Sequence, residues 1–152
     1  MTKIIKELVN NEGNLHSPYD KTTDTWLPAV EWGSGSKEWY IDGRLHREDG
    51  PACEWADGTK FWYKNDKYHR TDGPAIEYAD GDKEWYIDGK KYCPLDPVTG
   101  LRGPAVEYVN GNKYWLIDGQ KHRTDGPAVK WSNGTIHWYI DGKLHRTDGP
   151  AI

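Results

Sequence analysis

Apolar and polar positions alternate over short runs along this chain, and the runs recur. In Ala52-Cys53-Glu54-Trp55 the residues Cys53 and Trp55 fall on one side of an extended segment, and in Glu38-Trp39-Tyr40-Ile41 the residues Trp39 and Ile41 do the same. A period of two over so few residues marks a half-buried strand. The pairs return as Ile76 with Tyr78, Val106 with Tyr108 and Val129 with Trp131, and as Trp85 with Ile87, Trp115 with Ile117 and Trp138 with Ile140. They predict a core built from one shared Trp/Ile/Val face. No window carries apolar residues at helical spacing over an adequate length, so helix should be nearly absent.

The runs are separated by Asp57-Gly58, Asp80-Gly81, Asn110-Gly111 and Asn133-Gly134, and then by Asp42-Gly43, Asp88-Gly89, Asp118-Gly119 and Asp141-Gly142. Such dipeptides supply the positive φ of tight hairpins. Where Lys64 replaces the usual Ile and Asn65-Asp66 replaces Asp-Gly, the expectation is a bulge or distorted turn. The segment Lys143-Leu144-His145-Arg146 and its copies lead into Asp-Gly-Pro, whose Pro cannot donate to a ladder, so a turn or strand start belongs there.

The pattern is periodic over longer distances too. The Pro of Gly-Pro-Ala or its equivalent stands at Pro28, Pro51, Pro74, Pro104, Pro127 and Pro150, in steps of 23, 23, 30, 23 and 23 residues, and the Trp of the central run follows the same steps. A fixed period of this size means stacked supersecondary units that each need a neighbour to bury an apolar face. A seven-residue insertion explains the longer step and occurs twice, with Pro18 and Asp20 matching Pro94 and Asp96. The chain therefore reads as one repeat domain, residues 1 to 152. Within it, 1 to 27 form a divergent leading unit with the first insertion, 28 to 93 and 104 to 152 are repeats, and 94 to 103 hold the second insertion. The expected fold is all-β, an elongated twisted antiparallel meander of tandem 23-residue β-hairpins.

Composition changes the picture in one respect. Nine Trp and ten Tyr against one Phe and one Met mean that burial must come from large rings whose polar handles need partners. A net charge of -4 argues against a general binder of phosphate backbones, which would need an excess of clustered Lys and Arg. Cys53 and Cys93 show no metal-type spacing. The first residues contain no apolar export segment and no run is long enough for a membrane span, so the expectation is a cytoplasmic protein.

At Asp141-Gly142-Lys143-Leu144-His145, preceded by an aromatic pair, the chain resembles the MORN repeat. It is more similar to the divergent His-Arg-Thr/Glu-Asp-Gly-Pro-Ala repeat proteins of phages, bacteria and large viruses, over about residues 28 to 152. The resemblance implies short Gly- and aromatic-rich hairpins. It also implies a scaffold, adaptor, protein-binding or antitoxin-like role. Arg replaces the Gly that commonly follows His in MORN units, so lipid binding does not carry over.

Candidate chemistry is sparse. The column His46, His69, His122 and His145, with His16 and Tyr92 in register, could be a row of ligands or acid-base groups. A structural role is favoured, because a repeat spreads identical side chains along an axis while a metal site needs them to converge. Arg47, Arg70, Arg123 and Arg146 each precede an Asp by two residues, at Asp49, Asp72, Asp125 and Asp148, and should form turn-stabilising ion pairs. The face opposite the predicted core carries Tyr40, Tyr63, Tyr86 and Tyr139, with Leu116 interrupting the row. It is either a solvated face or a recognition surface of the kind Tyr builds at interface centres.

No serine sits in a nucleophile setting and no Gly loop leads into a helix, so no catalytic residue, metal or cofactor is assigned. The expected function is non-enzymatic binding of another protein, as a phage or bacterial inhibitor or antitoxin-like adaptor acting on a host or toxin factor. The expected contact residues are Tyr40, Tyr63, Tyr86, Leu116, Tyr139, His46, His69, His122 and His145. The alternative is a carbohydrate- or nucleic-acid-binding module that stacks its ligand on exposed rings. A homodimer through terminal strand edges is expected from Ala151-Ile152 and Ile4-Ile5, with the fold-back of Ile4, Ile5, Leu8 and Val9 as a cap on the first Trp layer as the other outcome.

Overall fold

The computed structural model describes residues 4 to 95, 100 to 146, and 149 to 150. Asp96, Asp148 and Ala151-Ile152 lie outside the described residues, as does the side chain of Ile5. The architecture is an all-β elongated array of hairpins, with no helix among the described residues. An 11-stranded antiparallel sheet forms its spine, and six two-stranded hairpins branch from it.

One unit shows how the sequence builds this. Ile76–Glu77 pairs with its own Lys83–Glu84, joined by the turn around Asp80-Gly81, and on its other side with Lys60–Phe61 of the unit before. The chain then leaves the spine at Trp85 and folds Tyr86–Ile87 back on Lys90–Lys91. The connecting Asp88 and Gly89 have φ of 49° and 79°, the left-handed pair that a two-residue hairpin requires. At Asn65-Asp66 no bulge forms, contrary to expectation: Tyr63↔Tyr68 and Lys64↔Lys67 keep the usual register, with φ of 50° and 63°. Asp66 tolerates the position that Gly holds elsewhere because its carboxylate accepts a bond from the backbone N–H of Leu45, at 2.8 Å.

The single Trp/Ile/Val core of the sequence reading is corrected by the register. Residues directly opposite one another share a face, and Ile76 stands opposite Glu84 and Phe61, one residue away from Trp85 and Trp62. The apolar content is therefore divided between two faces. On one, Cys53, Phe61 and Ile76 form a buried cluster against which Leu45, Tyr63, Tyr68 and Tyr86 pack. On the other, Trp115 is buried with Cys93, Ala105 and Ala128, and Leu116 and Tyr139 pack against that group. Several pairs assigned to the core end in exposed residues instead: Trp55 is 50% exposed, Ile117 44%, Tyr78 39% and Trp131 37%.

The Gly-Pro-Ala motif acquires its reason on the Trp side. Ala29, Ala52, Ala75, Ala105 and Ala128 are fully buried. Arg47, Arg70, Arg123 and Arg146 lay their guanidinium groups over Trp39, Trp62, Trp115 and Trp138, at 4.0 to 4.7 Å from the ring centres. The expected pairs Arg47–Asp49, Arg70–Asp72 and Arg123–Asp125 form, at 2.7 to 2.9 Å.

The insertions are equivalent as well. Tyr19↔Trp26 pairs in the first and Leu95↔Arg102 in the second. In each case the last residue offers its carbonyl to an indole N–H: Trp39 donates to Trp26 and Trp115 to Arg102, both at 2.8 Å. Ser17 and Cys93, 76 residues apart in the sequence, both turn a side chain to the backbone of the following unit.

Candidate functional site

The residues proposed from sequence as a contact row also make contacts within the array. Tyr40, Tyr63, Tyr86 and Tyr139 are half-buried, as is Leu116 in the same position. Tyr63 stacks on Tyr68 with ring centres 4.4 Å apart, and Tyr68 lies 5.1 Å from Tyr86. Tyr40 and Tyr86 donate their hydroxyls to Glu38 and Glu84. Burial first, and then the neighbouring acceptors, push the phenols of Tyr40, Tyr63 and Tyr86 well above their ordinary range, so they remain neutral donors.

The histidines serve as ties between units. Nδ1 of His69 lies 2.8 Å from the carboxylate of Asp88, and Nδ1 of His122 lies 2.8 Å from that of Asp141, 19 residues on in each case. His46 meets Asn65 in the same way at 2.9 Å, and His16 reaches Asp42 at 3.2 Å across the first insertion. His145 is exposed, and its backbone N–H is bonded to Trp138. The column is thus spread along the array; among the described residues no three His, Cys, Asp or Glu side chains converge on one point.

A second set of ties runs along the tips of the spine hairpins. Side-chain oxygens of Ser36, Thr59, Asp82 and Asn112 accept bonds from the backbone N–H groups of Ala56, Ala79, Val109 and Ser132 in the following unit. These bonds hold successive tips edge to edge. Beside them stands one aromatic per unit: Trp32, Trp55, Tyr78, Tyr108 and Trp131. Strands two apart are roughly 9.5 Å apart, so the rings form a regular column along the sheet.

The gaps in that column are filled differently. Phe61 occupies one, with ring centres 4.9 Å from Trp55 and 6.3 Å from Tyr78. Tyr114 occupies another, 5.7 Å from both Tyr108 and Trp131. At the corresponding strand positions Glu38 lies between the units of Trp32 and Trp55, and Glu84 between those of Tyr78 and Tyr108. The first of these leaves an open cavity of about 650 Å³, walled by Trp32 and Trp55, with Glu38, Ser34, Ser36, Ala56 and Asp57 around it.

This solvent-facing ribbon is the candidate site. Sequence reasoning placed Trp55, Tyr78 and Trp131 in the core because it combined the alternation of the two strands in the wrong phase. The signal that marks them was nevertheless present: each stands just before the turn of the spine hairpin, where a pleated strand runs out of neighbours that could cover it.

A second groove, of about 580 Å³, lies between the Arg-bearing loops of two units and contains His46, Trp62, Tyr63 and His69 among charged neighbours. Its arginines are already committed to Asp49 and Asp72. Among the described residues no helix is long and apolar enough to cross a membrane. No family model and no curated protein matches this sequence.

Proposed function

We propose that the chain is a non-enzymatic repeat module of the MORN-like hairpin type that binds another protein. The observation that carries the reading is the ribbon Trp32, Trp55, Tyr78, Tyr108 and Trp131, in which three rings are exposed, whereas among the other described aromatics only Tyr19 is. Large rings held on a rigid sheet lose little entropy on binding and dominate interface energetics. The resemblance to phage and bacterial repeat proteins supports an inhibitor or adaptor acting in the cytoplasm on a host or toxin factor. Self-association belongs to the same reading, since Ile4–Glu7 and Ile136–His137 each pair on one side only among the described residues.

The test is affinity capture from a bacterial lysate, with and without nuclease, comparing the wild type with the Trp55→Ala/Tyr78→Ala/Trp131→Ala variant. The expected result is one or more proteins retained by the wild type and lost by the variant. Recovery of glycan or nucleic acid alone overturns the reading. A glycan is the second reading, favoured by the regular spacing of rings on which successive sugars could stack.

A further inference from the structure

We infer that the slot between Trp32 and Trp55 receives an arginine side chain of a protein partner; this rests on the protein-binding reading above. The ring-filled gap next to it shows what such a gap accommodates. There Phe61 lies between Trp55 and Tyr78, a flat six-membered ring held between two aromatics. In the slot the same strand position is Glu38, so a carboxylate stands where the ring would be and about 650 Å³ remains open. A group that copies the neighbouring gap sets a ring-sized face against one aromatic wall, and beside Glu38 it carries positive charge.

The Glu84 gap shows that the carboxylate calls for a cation. Lys91 places its ammonium 3.1 Å from Glu84, so that unit carries its own positive partner. In the first unit the residue in register with Lys91 is Leu45, since Tyr86↔Lys91 and Tyr40↔Leu45 are equivalent pairs. Glu38 retains the Tyr40 hydroxyl at 2.9 Å, and no cation pairs with it among the described residues. Asp57 adds a second carboxylate at the rim.

A guanidinium meets all these requirements: it is planar, stacks on aromatic rings and binds a carboxylate through two parallel N–H groups. The protein already uses this chemistry on its other face, where Arg47 lies over Trp39 and bonds Asp49. A tetrahedral quaternary ammonium needs a cage of rings around it, and two walls do not supply one.

The experiment titrates the whole protein with N-acetylarginine amide and follows the nine indole N–H signals by two-dimensional NMR. Parallel titrations use the neutral isostere N-acetylcitrulline amide, N-acetyl-trimethyllysine amide and cellobiose. Saturable shifts confined to the signals of Trp32 and Trp55, assigned with Trp→Phe variants, are expected for the arginine compound, with citrulline at least about tenfold weaker. Glu38→Gln should abolish the response while the melting curve is retained. Leu45→Lys, which installs the internal cation of the third unit, should abolish it independently.

No response to arginine, an equal response to citrulline or cellobiose, a stronger one to trimethyllysine, or an unchanged response in folded Glu38→Gln overturns the inference. These titrations need no natural partner. A failed lysate capture beside a positive titration would sink the protein-partner reading alone, and retained capture by Glu38→Gln would sink the slot alone.

Discussion

The guanidinium of Arg70 lies 4.0 Å from the ring centre of Trp62, and its opposite side faces Gly73, where an added Cβ would stand 2.7 Å from the guanidinium carbon. The glycine of Asp-Gly-Pro-Ala is there to admit a cation between itself and an indole. Arg70 also bonds Asp72, the carbonyl of Pro74 and Glu77, so it cannot swing aside without losing them. Gly73→Ala should cost about 1 to 2 kcal/mol, the worth of one or two charge-assisted bonds and a stacked contact. Gly149→Ala, with 3.4 Å available, should cost less. Urea denaturation of the two variants checks the order.

Arg123 repeats this arrangement with one partner missing. Arg47 and Arg70 reach Glu54 and Glu77, but the equivalent residue in the last unit is Lys130, and Nη1 of Arg123 is buried without a bond among the described residues. Lys130 also stands directly opposite Lys113, whereas Lys37, Lys60 and Lys83 stand opposite Glu54, Glu77 and Glu107. Lys130→Glu relieves both conflicts at once. It should stabilise the protein by about 1 kcal/mol and raise the melting temperature by roughly 3 °C. A fall in melting temperature would contradict this account of the site.

Much of this was legible in the sequence, and the part that was not has a definite physical source. Period, hairpins, Arg–Asp pairs and the equivalence of the two insertions follow from local chemistry repeated at fixed steps. The face of each residue depends on how two strands are registered, and a slip of one residue exchanges faces. The alternation of Cys53 with Trp55 was read correctly, but Trp39 and Ile41 do not share a strand, since the spine strand ends at Glu38 and the hairpin strand begins at Tyr40. Joining the two runs into one face was also wrong, because Cys53 stands opposite Glu38. The exposed ribbon therefore became visible only once cross-strand pairing was known.

Acid stability should report the Arg–Asp pairs. Hydrogen bonds from Arg70 and Arg123 hold the Asp72 and Asp125 carboxyls below the usual range. With folded values depressed, their contribution is present above the unfolded value of about 3.9 and is lost as pH falls through the lower folded values. The melting-temperature difference between wild type and Asp125→Asn should accordingly be constant from about pH 6 to pH 5 and shrink below about pH 4. A difference that grows as pH falls would invert the sign and exclude the pair as its origin.

The histidine ties should govern how units melt together. His69 and Asp88 belong to successive hairpins, and the tie between them is the 2.8 Å contact of Nδ1 with the carboxylate. In a linear array, cooperativity depends on the free energy between neighbours as well as within each unit. Removing the tie should therefore do more than lower stability: His69→Ala should broaden the urea transition and reduce its slope, because the unit boundary at that point is weakened. Asp88→Asn keeps a residue that tolerates the left-handed turn, where Asp88 has φ of 49°, while removing the charge. In a double-mutant cycle the two substitutions should be non-additive by about 0.5 kcal/mol or more, as expected for groups in direct contact. Strict additivity, with an unchanged slope, would mean that backbone pairing alone couples the units and that the histidine column contributes nothing to it.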